Sequence, residues 1–211
     1  MQNDLSVIFS DQMARSLWAG LKTQTRRLAR SPLAKAKPGD RLWVREAWCP
    51  ANSARGPCVC YRANFHRWYP EYDGPNYGAG PSFDYSKYPA GEGAWSIWAG
   101  DLESGSEKGW RPSIHMFRWV SRMTLIVEEV RYQHLHDISE EDAIAEGAGQ
   151  YTSQTKIQRP FNPDWKGSYR AGFMALWDTL HGAESWNANP AVVALTFRVT
   201  KANIDGGCRA G

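Results

Sequence analysis

The sequence predicts an α+β fold, and three features of the chain carry that prediction. Strand-like segments lie near both ends and in the middle, at Leu5 to Phe9, Arg41 to Trp48, which alternates with period two, Met123 to Leu135, which is β-rich, and Ala191 to Val199. Between them fall short helical patterns that do not form the regular strand–helix–strand repeat of a parallel sheet. Two irregular stretches, about 50–111 and 150–167, interrupt this framework. At 211 residues the chain suits one domain over 1–200, with the polar, Gly-rich stretch 201–211 as a tail.

Taken in order, Leu5 to Phe9 reads as a first strand. Met13, Leu17 and Leu21, with Ala14 and Trp18, then recur every three to four residues as on one face of a short helix, and Gly20 is its stop signal. The run Gly20 to Arg27 follows and places Lys22, Thr23, Gln24, Thr25, Arg26 and Arg27 within eight residues. It suits an anion or a polar heterocycle, or else a solvated basic surface. Pro38-Gly39-Asp40 marks a turn before Arg41 to Trp48, where alternation puts Leu42, Val44, Glu46 and Trp48 on one face. Glu46 thus falls on the more apolar side, where a carboxylate needs either an ion-pair partner or a ligand's donor groups.

From Pro50 to Arg111 Pro, Gly, Tyr, Trp and Ser dominate, and only Val59 to Ala63 and Ala94 to Ala99 look strand-like, so a loop-rich aromatic insertion is expected. After the long strand Met123 to Leu135, Ser139 is an N-cap with Asp142 three residues on, and Gly147 ends a helix of about two turns. Glu146 sits at the helix end where the macrodipole disfavours a carboxylate, so helix electrostatics do not explain it. Ser168 to His181 reads as a helix with the apolar stripe Phe173, Leu176, Trp177 and Leu180.

Composition narrows the partners. The net charge is only +3, yet 17 of 25 basic residues are Arg, whose guanidinium stacks on flat rings and forks onto phosphate or carboxylate. Eleven Trp and nine Tyr either line a stacking surface or pack the insertions. The N-terminus has no signal-peptide pattern and no segment approaches the ~20 apolar residues of a membrane span, so a cytoplasmic protein without a membrane partner is expected. Cys49, Cys58, Cys60 and Cys208 are read as reduced thiols; Cys49, Cys58, Cys60 and His66 lack the tight C-x2-C turn of a zinc knuckle, and neither metal nor cofactor is expected.

The order of these segments carries a resemblance. A helix ending in G-x-K-T-x-T-R, a P-G-D turn before a strand, a long strand leading to D-I-S-E-E-D-A-x-x-E-G, and a last strand together resemble the ASCH domain family, over residues 1–48, about 120–148 and 190–200. K-T-Q-T-R-R, L-W-V-R-E-x-W and R-P-S-I-H-M are similar to a longer type common in phages and prophages. The resemblance implies a PUA-like small β-barrel with flanking short helices and two large loop-rich insertions. It also implies an amidohydrolase that removes the acyl group of N4-acetylcytidine through a Lys, a Thr three positions later and a downstream Glu, matched here by Lys22, Thr25 and Glu146. Other members look like ribonucleases or plain RNA binders, so RNA or DNA stays a second partner class beside a modified nucleoside or nucleobase.

Hydrolysis of an exocyclic amide passes through a tetrahedral intermediate and needs a nucleophile, a proton acceptor, a donor for the leaving amine and an oxyanion stabiliser. In one version Lys22, desolvated or crowded by cations, takes the proton of the Thr25 hydroxyl, the two lying one helical turn apart if the helix continues. In another Glu146 activates water, Thr25 positions it and Lys22 stays charged. A structural Lys22–Glu146 salt bridge is the remaining alternative. Arg26, Arg45, Glu46, Trp48, His115 and Arg118 are the expected ligand contacts, Glu accepting from a base amino group while Arg and Trp grip or stack.

Overall fold

The computed structural model describes residues 2–70, 83–91, 94–155 and 162–206. In chain order they form β1 (Asp4–Ile8), α1 (Asp11–Trp18), β2 (Gln24–Leu28), β3 (Arg41–Arg45), β4 (Trp48–Ser53), β5 (Gly56–Tyr61), β6 (Arg67–Trp68), β7 (Ile97–Trp98), α2 (Ala99–Glu103), β8 (Thr124–His134), α3 (Glu140–Ala145), α4 (Tyr169–His181), α5 (Ala183–Asn187) and β9 (Ala191–Thr200). The class is therefore α+β. One sheet has the order β1-β3-β8-β9-β2 and the other β6-β5-β4-β7, and among the described residues neither closes into a barrel. Two compact units result: residues 1–5, 16–42 and 124–200 form the first, and 6–15, 43–123 and 201–211 the second.

The first unit is organised by the antiparallel pair β8/β9, in register from Thr124↔Thr200 to His134↔Ala191 with one irregularity between Val127 and Glu129. β2 adds to the far side of β9, from Gln24↔Thr196 to Leu28↔Val192. α4 packs its core against α3 and α5 through Phe173, Met174, Trp177, Ala143 and Trp186. Its buried face is wider than the expected stripe: Ala171 to Ala175, Trp177 and Asp178 are buried, whereas Leu180 is half exposed. The expected stretch 150–167 is described only at its ends, since 156–161 lie outside the described residues.

α4 starts on two capping groups. Ser168 Oγ accepts from Ala171 N at 3.1 Å and itself donates to Glu140 Oε1 at 2.5 Å, while Glu140 Oε2 accepts from Tyr169 N at 2.7 Å. A carboxylate there meets orphan amides and the positive helix end. Replacing Glu140 by Ala should cost about 1 kcal/mol in urea unfolding at low salt, and less at high salt. An unchanged midpoint at low salt would remove Glu140 as a cap.

In the second unit the expected stretch 50–111 carries a small sheet and a short helix among its described residues. β4 and β5 form a hairpin, Trp48↔Tyr61 to Ser53↔Gly56, around Ala54 and Arg55, with Gly56 at φ 101°. Besides Trp48, Val59 and Tyr61 these strands bury Cys49, Ala51, Cys58 and Cys60, small residues that give a weak strand pattern. The aromatic excess packs this unit: Trp48, Tyr61, Trp95 and Val120 form a buried cluster bordered by Trp68, Phe83, Tyr88 and Trp119. Trp119 meets Trp48, Trp68 and Tyr88 at centroid distances of 6.4, 6.1 and 5.4 Å.

Candidate active site

Lys22 is placed by its backbone. α1 ends at Trp18, Gly20 turns the chain at φ 73°, and Leu21 N and Lys22 N both donate to Ser16 O, at 2.9 and 3.3 Å. Thr23 N donates to Ala145 O at 2.8 Å and Thr23 O accepts from Phe197 N at 2.9 Å, which pins residues 21–23 between the end of α3 and β9. Gly147, at φ 76°, lets α3 end close by: a Cβ there would stand 3.4 Å from Lys22 Cβ. A larger residue would be strained by its φ as well as crowded. Leu21, counted by pattern on the buried face of the helix, is 69% exposed because the helix has already stopped.

Within this frame Lys22 Nζ donates to Glu146 Oε2 at 2.7 Å and to Glu146 O at 2.8 Å. Both side chains are buried, 0% and 4% exposed. Burial lowers the pKa of Lys22 from the ordinary 10.5, against the opposing pull of Glu146. Glu146 Oε1 accepts from Arg26 NH1 at 3.1 Å, and the same guanidinium reaches Asp142 Oδ2 through NH2 at 2.5 Å. Asp142 Oδ1 in turn accepts from Arg131 NH2 at 2.7 Å and Gln24 Nε2 at 3.1 Å. Burial alone would raise the Asp142 pKa; the hydrogen bonds and charges of Arg131, Arg26 and Gln24 outweigh it and hold the carboxyl below its usual range.

Thr25 lies on strand β2, so the helical turn that would set it beside Lys22 does not continue. Alternation puts Thr25 and Arg27 on one face of β2 and Gln24 and Arg26 on the other. Thr25 is fully buried, and its Oγ1 accepts from Arg27 NH1 at 2.6 Å.

Of the expected ligand contacts, Arg26 lies in the first unit and the others in the second. Glu46 is buried and bound bidentately by Arg122, Nε to Oε1 and NH2 to Oε2, both at 2.8 Å, with the guanidinium carbon 4.1 Å from the Tyr61 ring centre. Trp48 is fully buried in the aromatic core. These two have structural explanations. Arg45 stacks 5.3 Å from the Trp43 ring centre and donates to Ser113 O at 3.1 Å; Arg118 pairs with Asp205 at 2.6 Å; His115 is exposed. Gln24, Asp142 and Arg122 were missed. Asp142 and Glu146 are four residues apart, and Gln24 and Arg26 two apart, which is the available signal for the first two. Arg122 carries none, because its partner lies 76 residues away.

Cys49, Cys58 and Cys60 are buried free thiols. Burial pushes the Cys49 thiol up to about 11, and Cys60 is also raised, first by its hydrogen bond with Cys58 and then by burial. Among the described residues no group of three or more His, Cys, Asp and Glu is placed to hold a metal ion, and Cys208 lies outside them. A cavity of about 460 Å³ in the first unit is lined by His136, Glu140, Trp165, Arg170, Met174 and Trp186. Its charged groups already serve the protein, Glu140 at the start of α4 and Arg170 on the carbonyls of Ile138 and His136. Among the described residues no helix is long and apolar enough to cross a membrane. A scan of protein-family models and searches of curated proteins and of solved structures return no match.

Proposed function

We propose that this chain is an ASCH-type, PUA-like amidohydrolase that removes an acyl group from the exocyclic amine of a modified nucleobase or nucleoside, with N4-acetylcytidine as the test substrate. The observation that carries the reading is the Lys22–Glu146 contact at 2.7 Å, because it joins two groups 124 residues apart that the family resemblance assigns to one site. Of the two mechanistic versions, the contact supports the one in which the ammonium stays charged. Glu146 accepts a proton from water as the hydroxide oxygen bonds to the acyl carbon, and Lys22 stabilises the oxyanion. Collapse breaks the carbon–nitrogen bond, and the protonated Glu146 returns its proton to the leaving amine. Thr25 takes no step in this version, because its hydroxyl is held by Arg27 on the face of β2 opposite Arg26.

The depressed Lys22 pKa gives this version a sign. Turnover is lost as pH rises through the Lys22 pKa, so kcat/KM should fall along an alkaline limb lying below pH 10.5. If neutral Lys22 were instead the base for Thr25, the rate would climb through the same range. Lys22→Arg keeps the charge without titrating; it should lose about 10²-fold in rate from misplacement and show no alkaline limb. The near-complete burial of Lys22 and Thr25 favours one other reading, a purely structural tie. Cytidine release from a panel of N4-acyl cytidines separates the two: no release from any of them, or full release by Lys22→Ala, leaves the tie.

A further inference from the structure

We propose that Arg26 and Asp142 are positioning residues that hold the Glu146 carboxylate, and that Arg26 is not a substrate contact. The proposal rests on the hydrolase reading above and adds the device that fixes its acid–base group. Two periodicities bring four side chains together. Alternation along β2 puts Gln24 and Arg26 on one face of the strand, and the helical repeat puts Asp142 and Glu146, four apart, on one face of α3 and its C-cap. Three of them close a ring, Arg26 NH1 to Gln24 Oε1 (2.5 Å), Arg26 NH2 to Asp142 Oδ2 (2.5 Å) and Gln24 Nε2 to Asp142 Oδ1 (3.1 Å), and Arg26 NH1 ties Glu146 Oε1 to that ring at 3.1 Å. Arg131 anchors the outer end at Asp142 Oδ1 (2.7 Å).

The guanidinium is divided between two carboxylates, one nitrogen to each. Asp142 is its counter-charge, so Arg26 fixes Glu146 through Oε1 while Oε2 stays with Lys22 Nζ, the group with which it acts. Arg26 is 2% exposed, and its Cζ lies 5.9 Å from the Phe173 ring centre on α4, which further limits its movement. NH1 and NH2 of this guanidinium are hydrogen-bonded to Gln24, Glu146 and Asp142, which leaves its buried Nε as the one nitrogen with no hydrogen-bond partner among the described residues. Its fork is matched to holding two carboxylates in fixed geometry, a task one ammonium does not perform.

The test compares wild type with Asp142→Asn, reading kcat and KM for N4-acetylcytidine beside the Arg26 guanidinium proton signals in NMR. Loss of the counter-charge should lower kcat about 10- to 100-fold, as for a small displacement of a catalytic group, with KM changed less than about twofold. The separate NH1 and NH2 signals of a held guanidinium should merge as it begins to rotate. Unchanged kcat, or a rise in KM with kcat intact, overturns the positioning role. If wild type turns over no substrate, the hydrolase reading fails by itself, and the NMR signals still decide whether Asp142 holds Arg26: merging in Asp142→Asn supports the tether and unchanged signals overturn it. Should Asp142→Asn not fold, Arg26→Lys retains the charge without the fork and is expected to show the same kcat loss, full kcat contradicting the proposal.

Discussion

Arg122→Met is expected to destabilise the protein by about 3–5 kcal/mol in urea unfolding at pH 8, because it strands a buried carboxylate. Glu46 is 1% exposed, and both its oxygens are bound by Arg122. Burial already raises the Glu46 pKa above 4.5, against the lowering effect of Arg122, and removing the guanidinium removes that opposing pull. A carboxyl whose folded pKa lies above its unfolded one loses stability as pH rises between the two values. The deficit of Arg122→Met should therefore be smallest below pH 4.5 and grow as pH rises above it. Glu46→Leu combined with Arg122→Met should recover most of the loss, since neither charge is then left buried. A deficit below about 1 kcal/mol, or one equal at pH 4 and pH 8, would show that the pair behaves as an exposed salt bridge.

Gly172→Ala should be the most damaging single-methyl addition in the first unit. A Cβ at Gly172 would stand 1.8 Å from Gly149 O and 3.0 Å from Gly149 C, both backbone atoms with no rotamer to turn aside. Two effects compete. Alanine gains about 1 kcal/mol over glycine inside a helix, while overpacking a tight site costs about 1–3 kcal/mol even where side chains yield. With backbone on the other side the clash wins, and a net loss of about 3 kcal/mol or more is expected. The effect reaches the candidate site through the neighbouring Phe173, whose ring faces Arg26. A melting temperature equal to or above wild type would mean that the 149–151 segment yields freely.

Local chemistry made much of the first unit legible. Ser139 and Ser168 cap the helices expected of them, and Gly20 and Gly147 take the positive φ that stops a helix. The β-rich run at 124–134 and the last strand at 191–200 pair with each other in the sheet. The apolar placement of Glu46 signalled that it needed a partner, but not which one, because strand alternation gives a face and says nothing of a residue 76 positions on. Other features were hidden for physical reasons. β4 buries Cys49 and Ala51 and β5 buries Cys58 and Cys60, so past Trp48 only the stretch of this hairpin from Val59 has a strand-like look in the sequence. Gln24 to Leu28 is a strand, so Thr25 and Arg26 diverge where a helical reading would bring Lys22 and Thr25 together. Asp142 has the spacing of a capping box, yet its side chain turns to Arg26 and Arg131 while only its amide is capped by Ser139.

The pairing of Lys22 with Glu146 is the central point, since the Arg26 and Asp142 tether has meaning only around it. The most direct measurement is cytidine formation from N4-acetylcytidine by wild type and by Glu146→Gln, each with its melting temperature recorded. The amide retains the size of the side chain and an oxygen for Lys22 or Arg26, but takes no proton. The account predicts turnover by wild type and its loss by about 10²-fold or more in a Glu146→Gln protein that still folds. Equal turnover by the two proteins, or none by wild type at any enzyme concentration, would contradict it.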